Sequence, residues 1–402
     1  MRLRGCVAIE LFVGAVVAAS LSAAAIWGVA ELRGATAGEV AGATELSRTE
    51  RGPNGASVQA GLTGEALASA TSGAATSGAA TDRAAGGGET AAGQPAAGGK
   101  PARELPPWSG QFLGLSDEEL LAPLRDSAVK AVKVNRGGSS LSLRIDFESG
   151  GRAACKPNQI YLQSQPRREI AAYRINRLLG LNTVPPSVGR RFQVAEIGDH
   201  FKPEARADRA RFLAEIVPDR DSRTTVLGEL TFWVPQLETA RIDGFEIEST
   251  EGVVTWKRYL TIGGDIPPAS LSMAAQVSNL LLFDFVINNS DRWSGGNIKA
   301  SLDQTVLVFL DNTLAFGNDG NGHSRVRAYL RRSQRFSRRL VEHLRGVDEA
   351  AVEEAVSRDI EPFVALLEKG EIHAIIERRD FALRYIDELI AKHGEDAVLA
   401  FP

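Results

Sequence analysis

The sequence predicts an α+β domain of two lobes, the first an antiparallel sheet with a helix and the second mostly helical. Segments with strand-like alternation come first, and helical periodicity dominates from Ser270 onwards. Strands followed by runs of helices are typical of α+β folds. We expect the domain over residues 108–402, with lobes at about 125–237 and 238–402.

Composition separates residues 34–107 from this domain. They are dominated by Ala, Gly, Thr, Ser and Glu, with hardly any large apolar side chains. Such a segment cannot bury enough surface to offset the entropy lost on ordering its backbone, so we expect a disordered stalk. The roughly 295 residues that follow are enough for one large domain or for two lobes with a cleft between them.

The N-terminus has the pattern of a membrane anchor. Two arginines precede an apolar run from Cys6 to Ala30 that is about long enough to span a bilayer as a helix. Arginines in front of such a run favour a cytoplasmic N-terminus and a translocated, extracytoplasmic domain. We therefore expect a signal anchor over residues 1–33, although the small residues Ala23–Ala25 leave cleavage open.

Charge and cysteine content exclude other classes of site. The formal net charge is −4, which gives no general reason to expect nucleic acid as a partner. The two cysteines are Cys6, within the membrane-like run, and Cys155, so no disulfide framework is expected. The five histidines are scattered without the spacing of a zinc site.

The domain is predicted to open with the cap-like sequence Ser116–Glu119 before a short helix, and a β-hairpin follows. Residues 140–147 alternate apolar and polar side chains, and the Gly-rich residues 148–151 favour a turn. The return strand then runs from Arg152 to Lys156, which places Lys156 near a strand end.

The remaining elements are predicted from hydrophobic periodicity and from the glycine and proline residues that end helices and strands. We expect a helix at Arg167–Leu179 with Gly180 as its C-terminal cap. The later predictions are strands near Val188–Val194 and Thr224–Val234, a loop or insertion at 203–222, an apolar helix at Ala274–Asn288, a buried strand at Val306–Leu310, and helices beyond Arg338.

Four residues near the ends of these elements, Lys156, Glu169, Asp291 and Asp311, occur in an order that suits phosphoryl transfer. That reaction needs a cation on the nucleotide phosphates, an acid to position the cation, a carboxylate for the attacking hydroxyl, and metal ligands. Lys156 and Glu169 could supply the first two, and Asp291 the third. Asn297 and Asp311 could hold Mg²⁺ or Mn²⁺ through oxygen atoms. Each residue alone would more often be a surface charge or a structural ion pair, so the order of the set is the evidence.

The segments around these residues resemble those of the secretory-pathway kinases, the group that includes the four-jointed kinase and the Golgi casein kinase. The resemblance covers about residues 140–317. The similar segments are the hairpin 140–157, the helix and strand 168–190, the crossing 231–237 (TFWVPQL), the catalytic-like segment 283–292 (FDFVINNSDR) and the metal-like segment 309–312 (FLDN).

This resemblance implies a bilobal atypical protein-kinase-like fold and a set of roles. Lys156 would be the phosphate lysine, Glu169 its partner with reach to the metal, Asp291 the catalytic carboxylate and Asp311 the metal ligand. ATP with Mn²⁺ or Mg²⁺ would be the cofactors. The γ-phosphate would pass to a hydroxyl of an exported or surface substrate, first a protein Ser/Thr and next a glycan.

Several alternatives stay open. Similarity to phosphoinositide and HipA-type kinases defines the clan better than the substrate, so a lipid or small-molecule kinase is a third choice. A pseudokinase that binds nucleotide without turnover, or a structural surface protein on a stalk, would be a different class of function. The sequence lacks the GxGxxG, His-Arg-Asp and Asp-Phe-Gly motifs, so an ordinary protein kinase is not expected. The nearest candidate for a glycine-rich loop is Gly137–Gly138 before the hairpin, which would more often be an ordinary turn.

Three further features allow more than one interpretation. The basic stretch between Arg325 and Arg339 could dock an anionic partner or form a solvated helix face. Trp293 could stack on a substrate or serve as packing beside Asp291. Asn288 and Asn289 could position Asp291 or form a turn.

Overall fold

The computed structural model describes residues 110–294 and 296–402, so the predicted anchor, the predicted stalk and Cys6 lie outside the described residues. The first elements in chain order are β1 (Gln111–Phe112), β2 (Leu115–Ser116), α1 (Asp117–Asp126), β3 (Val129–Val134), β4 (Leu143–Phe147), β5 (Arg152–Pro157), α2 (Pro166–Leu178), β6 (Ser187–Gln193), α3 (Val194–Asp199), α4 (Arg206–Glu215) and β7 (Thr225–Phe232). The later ones are β8 (Leu237–Thr239), β9 (Arg241–Ile242), β10 (Phe245–Glu246), α5 (Thr250–Leu260), a 3₁₀ turn (Pro268–Ser270), α6 (Leu271–Ile287), β11 (Ile298–Ser301), β12 (Leu307–Phe309), α7 (Ser324–Leu330), α8 (Arg338–Gly346), α9 (Glu349–Ser357), α10 (Lys369–His393) and α11 (Glu395–Val398).

A five-stranded antiparallel sheet, in the order β3-β4-β5-β7-β6, forms the first part of the domain. The predicted hairpin forms β4 and β5, with Leu143 opposite Cys155. Strand β4 buries every second residue, as a strand with one face on the core should. Because β5 also pairs with β7, Lys156 lies on a central strand, opposite Glu229.

Helix α2 carries Glu169 and ends where the sequence predicts. Pro166 occupies its first turn, where a missing N–H costs no hydrogen bond. Gly180 follows the helix with φ of +68°. A Cβ at Gly180 would lie 2.7 Å from the imidazole of His343, so any other residue would have to displace that side chain and also adopt a strained backbone conformation.

Helix α6 lies in the core of the second part of the domain. Its residues from Leu280 to Ile287 are all buried, which explains why the sequence is apolar without a polar face. Among the described residues, the stretch Pro268–Ile287 is long and apolar enough to cross a membrane. Because 72% of its apolar 18-residue window is buried inside the fold, it has the character of a core helix. Asn288 ends it in the left-handed conformation, which asparagine tolerates.

The predicted α+β arrangement is confirmed, but several segments differ from the sequence prediction. The predicted loop 203–222 contains α4, whose single buried residue, Phe212, gives no periodic signal. Helix α5 was not predicted, although Ser249 caps it by accepting the N–H of Gly252 at 3.0 Å. The lobe boundary near residue 237 stays a prediction.

Candidate active site

An ion pair joins the end of β5 to the segment that follows β12. Lys156 Nζ lies 2.5 Å from Asp311 Oδ1 and 3.3 Å from Thr313 Oγ1. The two charged side chains are only 12% and 35% exposed. Burial opposes the charge on Lys156, but Asp311 and Glu169 outweigh it and raise the pKa of the ammonium. A permanent cation therefore lies where a phosphate-binding lysine is expected.

Glu169 is 4% exposed on α2, and both of its carboxylate oxygens are bound by Asn312. The backbone N–H of Asn312 donates to Oε2 at 2.6 Å, and its side-chain amide donates to Oε1 at 3.0 Å. Burial raises the pKa of Glu169, while Lys156 opposes the increase. The sequence interpretation paired Lys156 with Glu169, whereas the structure gives Lys156 an ion pair with Asp311, and Glu169 acts on the ammonium through space.

Asp291 lies in the turn that follows α6, and its neighbours fix that turn. The backbone N–H of Asp291 donates to Asn289 Oδ1 at 3.1 Å, and the Ser294 hydroxyl donates to the carboxylate of Asp291. Asn297 donates its amide to the carbonyls of Asp291 at 3.3 Å and Ser294 at 3.1 Å. These bonds use the nitrogen of Asn297, so its oxygen is the atom that a cation would bind.

Asn289 connects this turn to the segment after β12. It is fully buried and donates its side-chain amide to the carbonyl of Asp311 at 3.1 Å and to Asn312 Oδ1 at 3.3 Å. The same residue therefore holds Asp291 from one end and Asp311 from the other. Both interpretations offered for Asn289 have contacts to support them: its bond to the Asp291 N–H forms an Asx turn, and its bonds to Asp311 and Asn312 position the segment after β12.

Arg292 is a site residue whose contacts the sequence did not predict. Its buried guanidinium donates to both oxygens of Asp284, at 3.0 and 3.2 Å, to the carbonyl of Leu310, and to Asn312 Oδ1. Burial raises the pKa of Asp284 to about 7, against the attraction of Arg292. The available signal was a carboxylate within the apolar run of α6, a placement that requires a partner.

Glu229 is the second site residue that sequence reasoning missed. It is 1% exposed on β7, opposite Lys156, and accepts a hydrogen bond from Thr231. Burial, and next the charge of Glu169, raise the pKa of Glu229 well above its usual value. The sequence signal for Glu229 was an acidic residue within a mostly apolar strand. Only the pairing of β5 with β7 shows that Glu229 lies opposite Lys156.

The side chains fit a cation that is shared with a nucleotide better than an all-protein cage. Among the residues described, no group of three His, Cys, Asp or Glu side chains could hold a metal ion. Mg²⁺ is usually held by one or two carboxylates, with water and substrate phosphates completing its shell. Asp311, Glu169 and Asn297 offer hard oxygen donors of the kind that such a site needs.

Sequence comparison finds several known proteins that are similar to this chain. No protein-family profile matches it. It is 24% identical over 311 residues to mouse (Mus musculus) pseudokinase FAM20A, covering 66% of this chain and 57% of the relative. It is 24% identical over 243 residues to the human (Homo sapiens) extracellular serine/threonine protein kinase FAM20C, covering 50% and 41%. Human glycosaminoglycan xylosylkinase is 22% identical over 310 residues, covering 67% and 75%. The chain thus spans about half the length of the two FAM20 relatives.

Solved structures agree in fold. The Golgi casein kinase with Mn/ADP bound superposes with a TM-score of 0.54 at 17% identity, covering 70% of this chain and 78% of that one. Hydra Fam20 with sugar superposes with a TM-score of 0.55 at 17% identity, covering 72% and 95%. The chain is related to the secretory-pathway atypical kinases. The expected resemblance and the kinase-like α+β fold are both confirmed. Because the relatives of this kinase family include a kinase and a pseudokinase by name, relationship alone does not distinguish an active chain from an inactive one.

Proposed function

We propose that the chain is an ATP-dependent kinase that transfers the γ-phosphate to a hydroxyl of an exported or surface substrate. A protein Ser/Thr is the first acceptor class and a glycan hydroxyl the second. The observation that carries the proposal is the 2.5 Å ion pair between Lys156 and Asp311, residues 155 positions apart in the chain. It joins the predicted phosphate lysine to the predicted metal residue.

The nucleotide-binding roles follow from charge and donor chemistry. Lys156 would contact the phosphates as a compact cation. Asp311 would hold Mn²⁺ or Mg²⁺ through oxygen, with Asn297 and Glu169 as further ligands. When bound, the metal–ATP complex supplies the phosphoryl group and neutralises part of its charge. Manganese has the additional support that a related fold was solved with Mn and ADP bound.

Asp291 would accept the proton of the acceptor hydroxyl. Its half-buried carboxylate is held by the Ser294 hydroxyl, and its backbone by Asn289. A fixed carboxylate of this kind orients the attacking oxygen, which is most of what a protein contributes to phosphoryl transfer.

A pseudokinase is the second candidate, because a relative of that name matches 66% of the chain. Against it stands the retention of Lys156, Glu169, Asp291 and Asp311, because loss of any one of them would be the usual sign of a pseudokinase. A lipid or small-molecule hydroxyl is the third acceptor class. Export through an N-terminal signal anchor, with the N-terminus cytoplasmic, is part of the proposal and agrees with the name of the extracellular relative.

The proposal is tested by incubating the full-length chain, purified in detergent, with γ-labelled ATP and Mn²⁺ or Mg²⁺. Acceptors would be a dephosphorylated secreted protein, a β-xyloside and phosphoinositide vesicles. Label on the protein or glycan, lost in Asp311→Asn, supports the kinase and orders its acceptors. Metal-dependent ATP binding without label supports the pseudokinase, and no nucleotide effect supports a structural role.

A further inference from the structure

Helix α7, which begins the basic stretch, contacts the turn of Asp291 through Arg325. Arg325 Nη2 donates to the carbonyl of Trp293 at 2.9 Å, and Nη1 to the carbonyl of Ser290 at 3.5 Å. These two carbonyls flank Asp291 and Arg292 in the chain. One guanidinium therefore spans the turn that carries the proposed catalytic carboxylate.

Tyr329 makes a second contact from the same helix. It follows Arg325 by four positions, and residues at this spacing share a helix face. Its ring stacks on Trp293 with centroids 4.3 Å apart and planes 10° apart. Trp256 lies 5.6 Å from Trp293, which is only 8% exposed. Trp293 therefore serves as packing, one of the two roles that the sequence left open.

The N-terminal end of α7 is held to the end of α6. The backbone N–H of His323 donates to Asn288 Oδ1 at 2.7 Å, and Asn288 donates its amide to the carbonyl of Phe316 at 3.0 Å. Helix α7 is thus held at its N-terminal end by Asn288, which precedes the turn of Asp291. Along one helix face, Arg325 and Tyr329 contact the turn itself.

The other arginines of the basic stretch have different partners. Arg327 donates to the carbonyl of Asn321 at 3.4 Å, and Arg335 to those of Tyr259 and Gly264. Arg338 forms ion pairs with Glu395 and Asp396. Much of the stretch is therefore structural, and Arg325 is the member whose side chain contacts the turn of Asp291.

We infer that Arg325 is a positioning residue: together with Tyr329 it holds the turn around Asp291 so that the carboxylate meets the acceptor hydroxyl. This inference rests on the proposed kinase function. Guanidinium suits the task because its planar fork can bind two carbonyls and stays charged at all relevant pH values. A displacement of about 1 Å at a reacting group can cost about a hundredfold in rate. Loss of Arg325 should therefore lower kcat without weakening nucleotide binding.

The test compares the full-length wild type with Arg325→Gln, Arg325→Lys and the matched control Arg327→Gln. Steady-state transfer gives kcat, titration of a fluorescent ATP analogue with Mn²⁺ gives Kd, and near-ultraviolet circular dichroism reports the stack of Trp293 on Tyr329. Arg325→Gln should lower kcat by about 10- to 100-fold while Kd stays within about twofold. The kcat of Arg325→Lys should lie between those of the wild type and Arg325→Gln, since an ammonium is a point charge that lacks the planar fork of a guanidinium. Arg327→Gln should match the wild type.

Equal kcat in Arg325→Gln and Arg327→Gln would overturn the inference, and so would a parallel loss of ATP affinity and kcat. If Arg325→Gln does not fold, Arg325→Lys decides: lower kcat at unchanged Kd supports the positioning role, and wild-type kcat overturns it. An active wild type with unaffected Arg325 variants refutes this inference alone. An inactive wild type refutes the proposed function, and the inference with it.

Discussion

Asn312 binds both carboxylate oxygens of Glu169, through its backbone N–H at 2.6 Å and its side-chain amide at 3.0 Å. The oxygen of the same side chain accepts a hydrogen bond from Arg292. One asparagine thus connects helix α2 with the buried Arg292, which lies in the turn of Asp291. The position of neighbouring Asp311 is therefore set from both parts of the domain.

Replacing Asn312 with alanine should destabilise the domain. The change leaves Glu169 and Arg292 with unsatisfied buried groups, each of which costs about 1–3 kcal/mol. Urea denaturation should show a lower midpoint than the wild type. Asn321→Ala, at an exposed position, is the control and should unfold with the wild type. Coincident curves for Asn312→Ala and the wild type would contradict the role given to Asn312.

The buried pair of Asp284 and Arg292 should show strong coupling. Arg292→Met leaves a buried carboxylate without its cation, a change that typically costs about 3–5 kcal/mol. Adding Asp284→Leu should recover part of that loss, because the double variant buries no unpaired charge. Free energies of unfolding from the double-mutant cycle measure this coupling. Additive losses would show that the two residues do not act as a pair.

Glu229 predicts a particular dependence of stability on pH. Burial, and next the charge of Glu169, raise the folded-state pKa of Glu229 well above its usual value of 4.5. The protonated side chain therefore contributes stability that is fully present below the unfolded-state pKa. This contribution is lost as the pH rises through the folded-state pKa. Glu229→Gln removes this titration and keeps an oxygen to accept from Thr231. The Tm of Glu229→Gln relative to the wild type should therefore increase from pH 4.5 upwards. A constant difference between pH 4.5 and 9 would show that Glu229 does not titrate in this way.

ATP should stabilise the chain only when a divalent cation is present. Because Asp311 is the proposed metal residue, chelation of Mn²⁺ and the Asp311→Asn substitution should each abolish the increase in Tm that ATP produces. Asp265→Asn, at an exposed position, is the control. Full stabilisation by ATP in Asp311→Asn would remove Asp311 from the metal site.

Local pattern predicted the elements that carry the site. The hairpin of β4 and β5, the capping box at Ser116 and Glu119, and the end of α2 at Gly180 all follow from periodicity and cap chemistry over a few residues. Such signals need no knowledge of distant partners. They were enough to place Lys156 at the end of a strand and Asp291 after a helix.

Long-range contacts could not be predicted in this way. Glu169 and Asn312 are 143 positions apart, and their hydrogen bond depends on how α2 packs against the segment after β12. Glu229 faces Lys156 only because β7 pairs with β5, and residues 158–224 intervene between those strands. Helix α4 was missed because one buried residue, Phe212, gives no periodicity.

The most direct test of the kinase proposal compares the wild type with Asp291→Asn. Both proteins are assayed for metal-dependent ATP binding and for transfer of labelled γ-phosphate to the best acceptor. We expect Asp291→Asn to bind ATP as the wild type does, because Asp291 is not a proposed nucleotide ligand. Transfer should fall by about 10²–10⁴-fold, the usual contribution of a positioned acid or base. Undiminished transfer by Asp291→Asn would contradict the assignment of Asp291 and the mechanism built on it.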